Sequence, residues 1–228
     1  MIGLDGTGVC GASLISTNRL LTAAHCWFDG LHQAWRITVV LGSTTLFTGG
    51  TRLDTSVVAM HPNWMPQLAR NDIAAIYLPN PVAFSNTIAP IALPSGAELN
   101  EHFAGSTAIA SGFGLTSDGN GQVLSHVGLN VITNSACSYG FPLLVQSSNI
   151  CTSGIGGVGT CRGDSGGPLI TNSNERPILV STARIKVLHL SKGLRQSLSQ
   201  FIIKKYLRIT NPGSFIFRDC NMFPVLLS

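Results

Sequence analysis

Apolar and polar residues alternate in short runs along most of the chain. Such alternation is typical of β-strands with one face in a core, and it predicts strands over residues 36–41, 55–60 and 127–133. The run IAAIYL (73–78) is almost continuously apolar, which predicts a strand buried on both faces. The run STAIASGFG (106–114) ends in glycines, which mark a bend or a close neighbour of the backbone. We therefore expect an all-β protein.

A proline-rich segment divides these runs into two halves of similar size. Residues 79–96 contain four of the 11 prolines and show no helical period, which is typical of a connector. We expect a first β unit over about residues 1–80 and a second over about residues 97–180. Because 44% of the residues are apolar, two packed barrels or sandwiches can each bury a core.

The composition changes near Val180. Residues 1–180 contain six arginines, no lysine and nine acidic residues, a net charge of −3. Residues 181–228 contain eight basic residues against Asp219 alone, a net charge of +7. The overall charge of +4 is therefore a property of the tail, and it gives no support for nucleic-acid binding by the protein as a whole.

The tail has a pattern of its own. Apolar residues recur at helical spacing between positions 190 and 202, with lysine and arginine around them. This pattern predicts a basic helix, which as a functional element would bind a membrane surface or a partner. We favour the simpler interpretation that residues 181–228 form a basic tail foreign to the domain. No stretch of the sequence approaches the roughly 20 apolar residues of a membrane span, so we expect no membrane partner.

Three short motifs contain the residues best suited to chemistry. Ser165 lies in GDSGGP, where glycines let the backbone turn tightly and aim N–H groups at one point, as an oxyanion requires. His25 lies in TAAHC, and Asp72 lies in NDIA at the start of an apolar strand. A buried carboxylate at that position needs hydrogen-bond donors, and His25 is the obvious one. Taken alone, a glycine-rich serine turn is usually only a turn, and an isolated histidine is usually structural.

Together, and in the order His, Asp, Ser, the three motifs resemble those of the chymotrypsin-like serine peptidases. The resemblance extends from about Cys10 to Val180, and LNVITNSAC and SGFGLTSDG are especially similar to the secreted midgut chymotrypsins of moths and butterflies. It implies two antiparallel Greek-key β-barrels. It also implies digestion in alkaline gut fluid, which would suit a body without lysine because arginine keeps its charge to higher pH.

The resemblance implies a role for each of the three residues. Ser165 would attack the peptide carbonyl, His25 would take and return the proton, and Asp72 would orient the imidazole. The N–H groups of Gly163 and Ser165 would form the oxyanion hole. No metal or organic cofactor is implied.

The six cysteines contain no Cys-x-x-Cys pair, so disulfides in a secreted protein fit better than a zinc site. The resemblance implies the pairs Cys10 with Cys26 and Cys137 with Cys151, each worth about 2 to 4 kcal/mol.

Substrate preference is implied by the residue six positions before the nucleophile. In this chain that residue is Gly159, whereas trypsin-like members carry an aspartate there. The resemblance therefore implies cleavage after large apolar or aromatic residues, although a glycine alone would also fit a wide and permissive pocket.

The chain also departs from the family. Active members pair the aspartate before the nucleophile, here Asp164, with a freed N-terminal ammonium, and only nine residues precede Cys10. After Val180 the family continues with a strand that lines the pocket and with a cysteine for Cys161, and this chain resembles neither. We expect an open second barrel and little or no peptidase activity. Cys220 lies 59 residues after Cys161 in a segment without a family match, so the sequence leaves open whether Cys161 is paired.

Two functional classes remain open at this point. The first is a secreted digestive endopeptidase, a monomer that acts on protein or peptide substrates and meets proteinaceous inhibitors. The start MIGLDGTGVC contains no signal peptide, so secretion into the gut lumen rests on the resemblance. The alternative is a non-enzymatic homologue that acts as a binding or regulatory protein, and replacement of His25, Asp72 or Ser165 would have favoured it.

Overall fold

The first half of the chain forms two antiparallel sheets. The computed structural model describes residues 2–3, 6–117, 119, 121–182 and 225–227. The strands of the first half are Ile2–Gly3 (β1), Gly6–Thr7 (β2), Ser13–Ser16 (β3), Arg19–Thr22 (β4), Ala34–Leu41 (β5), Thr51–Thr55 (β6), Val58–Met60 (β7) and Ala74–Tyr77 (β8). They pair in the orders β2-β1-β5-β6 and β3-β4-β8-β7.

The second half forms one sheet of six antiparallel strands. Its elements are Thr107–Gly112 (β9), Ser125–Ile132 (β10), the helix Asn134–Gly140 (α1), Ile150–Thr152 (β11), Pro168–Ser173 (β12), Arg176–Thr182 (β13) and Val225–Leu227 (β14). The strand order is β13-β12-β9-β10-β11-β14. Two 3₁₀ turns, Ala24–Cys26 and Gly96–Asn100, complete the described elements.

Each half has its own hydrophobic core. In the first half the inward-facing side chains of β3, β4, β5 and β8 meet, and they include Leu14, Leu20, Ile37, Val39 and Ile76. In the second half the inward-facing side chains of β9, β10 and β12 meet: Ala108, Ala110, Leu129, Val131 and Leu169. Two cores side by side are what two packed barrels require. The predicted all-β class is therefore confirmed.

Two of the predicted strands differ from the structure. Residues 55–60 do not form one strand, because β6 ends at Thr55 and β7 begins at Val58. The Thr55 hydroxyl donates to the carbonyl of Tyr77 at 2.7 Å and accepts from the N–H of Val57 at 3.1 Å, which stabilises a corner between the two strands. The prediction that IAAIYL is buried on both faces is also wrong, because burial alternates along β8 and only one face is fully buried.

The predicted connector contacts both halves. The N–H of Ile91 donates to the carbonyl of Leu14 at 2.9 Å, and the carbonyl of Ala92 accepts from the N–H of Leu179 at 2.9 Å. The neighbouring residues Ile91 and Ala92 thus bind β3 of the first half and β13 of the second half. These bonds fix the two halves relative to each other.

The tail adds a strand to the second sheet. Residues Val225–Leu227 pair with Ile150–Thr152 in antiparallel register. Strands β13 and β14 are the two ends of the sheet order and do not pair with each other among the described residues, as expected for an incomplete second barrel. Strand β13 also continues to Thr182, beyond the composition change at Val180. The predicted basic helix between residues 190 and 202 lies outside the described residues. None of the helical segments in the described parts of the chain has the length and hydropathy of a membrane span.

Two disulfides have the pairing that the resemblance implied. Cys10 joins Cys26 with 6.3 Å between their Cα atoms, and Cys137 joins Cys151 with 6.2 Å. Cys161 is disulfide-bonded as well. The pairing of Cys161, which the sequence left open, is thus present.

Candidate active site

Strand pairing in the first half brings His25 and Asp72 together. His25 lies in the 3₁₀ turn that follows β4, and Asp72 lies two residues before β8. Strands β4 and β8 are antiparallel neighbours in which Thr22 pairs with Ala74. The end of one strand therefore meets the start of the other, and the two side chains face each other there.

Both oxygens of the Asp72 carboxylate bind His25. Oδ2 accepts from the ring Nδ1 at 2.7 Å, and Oδ1 accepts from the backbone N–H of His25 at 2.8 Å. Asp72 is 1% exposed, whereas the His25 side chain is 24% exposed. A carboxylate so deeply buried is stable only with such donors, as the sequence predicted. The ring is thereby fixed with Nδ1 toward Asp72 and Nε2 on the side away from it.

The residue before Asp72 has an unusual backbone. Asn71 has a φ of 56°, in the left-handed region, which asparagine tolerates better than most residues. Its side-chain amide donates to the carbonyl of Asn63 at 2.8 Å. This bond closes the loop in front of β8 and fixes the direction from which Asp72 enters the site.

Ser165 follows a tight turn at the junction of the two halves. The N–H of Asp164 donates to the carbonyl of Cys161 at 3.0 Å, and Gly163 and Gly166 on either side of the Asp164–Ser165 pair have φ of 107° and 79°. These values lie in the region that glycine adopts without strain. The glycines of GDSGGP are thus required by the backbone path that presents Ser165.

The backbone of Ser165 contacts the first half at the Cys10–Cys26 disulfide, next to His25. The Sγ atom of Cys26 lies 4.0 Å from the Nε2 of His25 and 3.6 Å from the carbonyl oxygen of Ser165. In the structure as described, no hydrogen bond joins the Ser165 hydroxyl to the Nε2 of His25. Catalytic hydrogen bonds are often long in the absence of substrate, so this geometry is compatible with a working pair.

The carboxylate of Asp164 points away from Ser165, into the second half. One oxygen accepts from the N–H of Gly114 at 2.7 Å, and the other accepts from the N–H of Cys161 at 2.8 Å. A Cβ atom at Gly112 or Gly114 would overlap this carboxylate. The close neighbour that the glycines of the run 106–114 predicted is therefore Asp164.

A cavity of about 350 Å³ lies beside Asp164. Gly159, Thr160 and His126 are among the residues that line it, and the buried Thr160 hydroxyl has no hydrogen-bond partner among the described residues. Gly159 thus borders a cavity, as a pocket residue must. Its position at the base of the primary specificity pocket stays a prediction.

In the described parts of the chain, one group of side chains consists of residue types that bind metals. Cys10, His25 and Cys26 have their ligand atoms within 4.8 Å of one another. Both sulfur atoms belong to one disulfide, and only a thiolate is a strong metal ligand. This group is therefore unsuited to a metal ion.

Comparisons with known proteins agree on one family. The family model described as Trypsin matches residues 1–186. The chain is 38% identical over 177 residues to brachyurin of Leptuca pugilator, covering 74% of each chain. It is 36% identical over 162 residues to a collagenase of Hypoderma lineatum, covering 71% of this chain and 60% of that protein. A trypsin of Squalus acanthias is 33% identical over 173 residues, covering 73% of this chain and 71% of that protein.

The solved structures show the same relationship. A structure of HL collagenase superimposes with a TM-score of 0.77 at 28% identity, covering 100% of this chain and 84% of that chain. The predicted double β-barrel fold is thus confirmed. In sequence, the matched part of this chain spans 60% of the Hypoderma lineatum protein.

Proposed function

Because this chain belongs to the trypsin family of serine peptidases, we propose that it hydrolyses peptide bonds with His25, Asp72 and Ser165. The observation that carries the proposal is the pair of hydrogen bonds, 2.7 and 2.8 Å long, by which Asp72 holds His25 beside the Ser165 turn. The alternative of a non-enzymatic homologue has no replaced residue among the three to support it.

The geometry of His25 assigns the proton transfers. With Nδ1–H bound to Asp72, the neutral ring presents Nε2 as the base that accepts the proton of the Ser165 hydroxyl. The serine oxygen then attacks the substrate carbonyl. Asp72 stabilises the imidazolium that forms, and the ring returns its proton to the leaving amine. Water releases the acyl group from Ser165 by the same steps in the second half of the reaction.

The oxyanion of each tetrahedral intermediate needs N–H donors. We assign this role to Gly163 and Ser165, because their N–H groups flank the tight turn at Asp164. Such donors are worth roughly 100- to 1,000-fold in rate each. The Asp164 carboxylate supports the turn from behind through the N–H groups of Gly114 and Cys161.

The substrate class follows from the pocket and from the family. Gly159 carries no charge to pair with lysine or arginine, so we propose cleavage after large apolar or aromatic residues. We further propose a digestive role in a secreted monomer, which fits the disulfides. Proteinaceous inhibitors of serine peptidases would bind at the same site as the substrate.

The activity of the chain is expected to be low. The family match ends at residue 186, and the strand that the resemblance implies for the pocket wall should follow Val180. Loss of that wall would hold the substrate backbone less well and would lower the fraction of bound peptide in a reactive geometry.

Hydrolysis of fluorogenic peptides tests the proposal. The series carries Phe, Tyr, Leu, Lys or Arg before the scissile bond, and Ser165→Ala is the control that removes the nucleophile. We expect slow cleavage after Phe, Tyr or Leu that Ser165→Ala abolishes. Cleavage after Lys or Arg would contradict the assignment of Gly159. Equal rates for the chain and for Ser165→Ala would favour the non-enzymatic alternative.

A further inference from the structure

A buried hydroxyl group connects the first half of the chain to the nucleophile. Thr22, the last residue of β4, is 2% exposed. Its Oγ1 donates to the carbonyl of Gly11 at 2.8 Å. The N–H of the same Gly11 donates to the carbonyl of Ser165 at 2.7 Å. Two consecutive hydrogen bonds thus run from the Thr22 side chain through one peptide unit on each side of Gly11 to the backbone of Ser165.

The backbones at this junction are in direct contact. A Cβ atom at Gly166 would overlap the Thr22 hydroxyl and lie 2.6 Å from the carbonyl oxygen of Gly11. A Cβ atom at Gly11 would lie 2.7 Å from the backbone nitrogen of Gly167. No space remains in which the Ser165 segment can shift toward the first half. The Thr22 hydroxyl therefore sets how closely the two segments approach.

The position of Thr22 makes this contact relevant to catalysis. Thr22 lies three residues before His25, and its strand partner Ala74 lies two residues after Asp72. The paired strands β4 and β8, which present His25 and Asp72, therefore also hold the backbone of Ser165. We infer that Thr22 is a positioning residue that sets the distance between Ser165 and His25, an inference that rests on the proposed function.

Loss of the Thr22 hydroxyl should lower the reactivity of Ser165 more than it lowers the stability of the fold. Valine has nearly the shape of threonine, but its methyl group cannot donate to Gly11, so a buried carbonyl loses its partner. We expect the Gly11 segment to move away from the methyl group and the Ser165 backbone to move with it. A displacement of about 1 Å costs on the order of 100-fold in rate at an active site.

A matched set of variants separates positioning from stability. Thr22→Val removes the donor, and Thr22→Ser keeps it. The control is Thr171→Val, because Thr171 is also buried, at 4% exposure, and its hydroxyl also donates to a backbone carbonyl, that of Thr107 at 3.2 Å within the second half. The measurements are the rate of Ser165 labelling by a fluorophosphonate, kcat and KM on a fluorogenic peptide, and Tm.

We expect Thr22→Val to lower the labelling rate and kcat by roughly 10- to 100-fold, with KM little changed. Thr22→Ser should restore most of the rate, and Thr171→Val should lower Tm as much as Thr22→Val with no loss of labelling. Equal labelling rates for the two valine variants would overturn the inference. If Thr22→Val does not fold, Thr22→Ala takes its place with the same expectation.

Amide hydrogen exchange keeps the inference separate from the proposed function. If the unmodified chain neither labels nor cleaves, the proposed function fails. In that case faster exchange of the Gly11 N–H in Thr22→Val than in Thr171→Val still supports positioning, because this N–H binds the Ser165 carbonyl. Unchanged exchange at Gly11 would contradict positioning, whatever the activity.

Discussion

Replacement of Asp72 by asparagine is the sharpest perturbation of the site. The two residues have the same shape, but the asparagine side chain offers one acceptor oxygen and one NH₂ group. In the native site both carboxylate oxygens accept, one from the ring Nδ1 of His25 and one from its backbone N–H. The backbone N–H cannot become an acceptor. The asparagine oxygen therefore stays with the backbone, and its NH₂ group faces the ring.

The altered contact changes the tautomer of His25. A ring nitrogen that faces an NH₂ group must accept, so the ring proton moves from Nδ1 to Nε2. Nε2–H cannot take the proton of Ser165. In serine peptidases with this triad the corresponding change lowers kcat by about 10⁴-fold. At 1.36 kcal/mol for each factor of ten, this is about 5 kcal/mol of transition-state stabilisation.

The assay is labelling of Ser165 by a fluorophosphonate, which needs an activated serine but little of the substrate pocket. The matched control is Asp54→Asn, because the Asp54 carboxylate also accepts from a side chain, the Thr38 hydroxyl at 2.5 Å, but lies at an exposed position. We expect a large loss for Asp72→Asn and none for Asp54→Asn. A loss of less than 10-fold for Asp72→Asn would refute the assignment of His25 as the base held by Asp72.

Three further predictions concern stability. Gly114→Ala should lower the free energy of unfolding by roughly 1 to 3 kcal/mol, because the added methyl group overlaps the Asp164 carboxylate; an unchanged urea midpoint would contradict this. Removal of the Cys137–Cys151 disulfide by paired serine substitutions should cost about 2 to 4 kcal/mol, measured by urea unfolding, and a loss below 1 kcal/mol would count against it. Burial raises the pKa of Asp29, but the N–H groups of His32 and Leu31 together with the His32 side chain lower it by more, so that the pKa lies below its ordinary value. The stabilisation by the charged Asp29 is present above the ordinary aspartate pKa and is lost as the pH falls through the lowered pKa of the folded protein. Asp29→Asn should thus lower Tm at neutral pH but not in strong acid. An equal loss of Tm at both pH values would refute a lowered pKa.

Local patterns predicted the parts of the fold that depend on local sequence. Period-two alternation identified the strands around residues 36–41 and 127–133, because one face of each lies in a core. The corner at Thr55 was missed, since the alternation continues through it while the hydroxyl binds a strand 22 residues away. Helix α1 was missed because its sequence NSACSYG consists largely of weak helix formers. Its N-cap, the Thr133 hydroxyl bound to the N–H of Ala136, is the one signal that could have revealed it.

Some residues of the candidate site could be predicted from the sequence, and others could not. The motifs around His25, Asp72 and Ser165 were visible because short sequences determine the turns that present them. The roles of Thr22 and Gly11 could not be read from the sequence, since they depend on a contact between halves more than 140 residues apart along the chain. The pairing of β14 with β11 was missed because it joins segments more than 70 residues apart within the second sheet.

Fluorophosphonate labelling of the folded chain, with the labelled residue located by mass spectrometry, shows directly whether His25 activates Ser165. We expect one label, on Ser165, that is lost in His25→Ala and when the chain is unfolded in urea. A folded chain that carries no label, or that labels equally without His25, would contradict the claim that His25 activates Ser165.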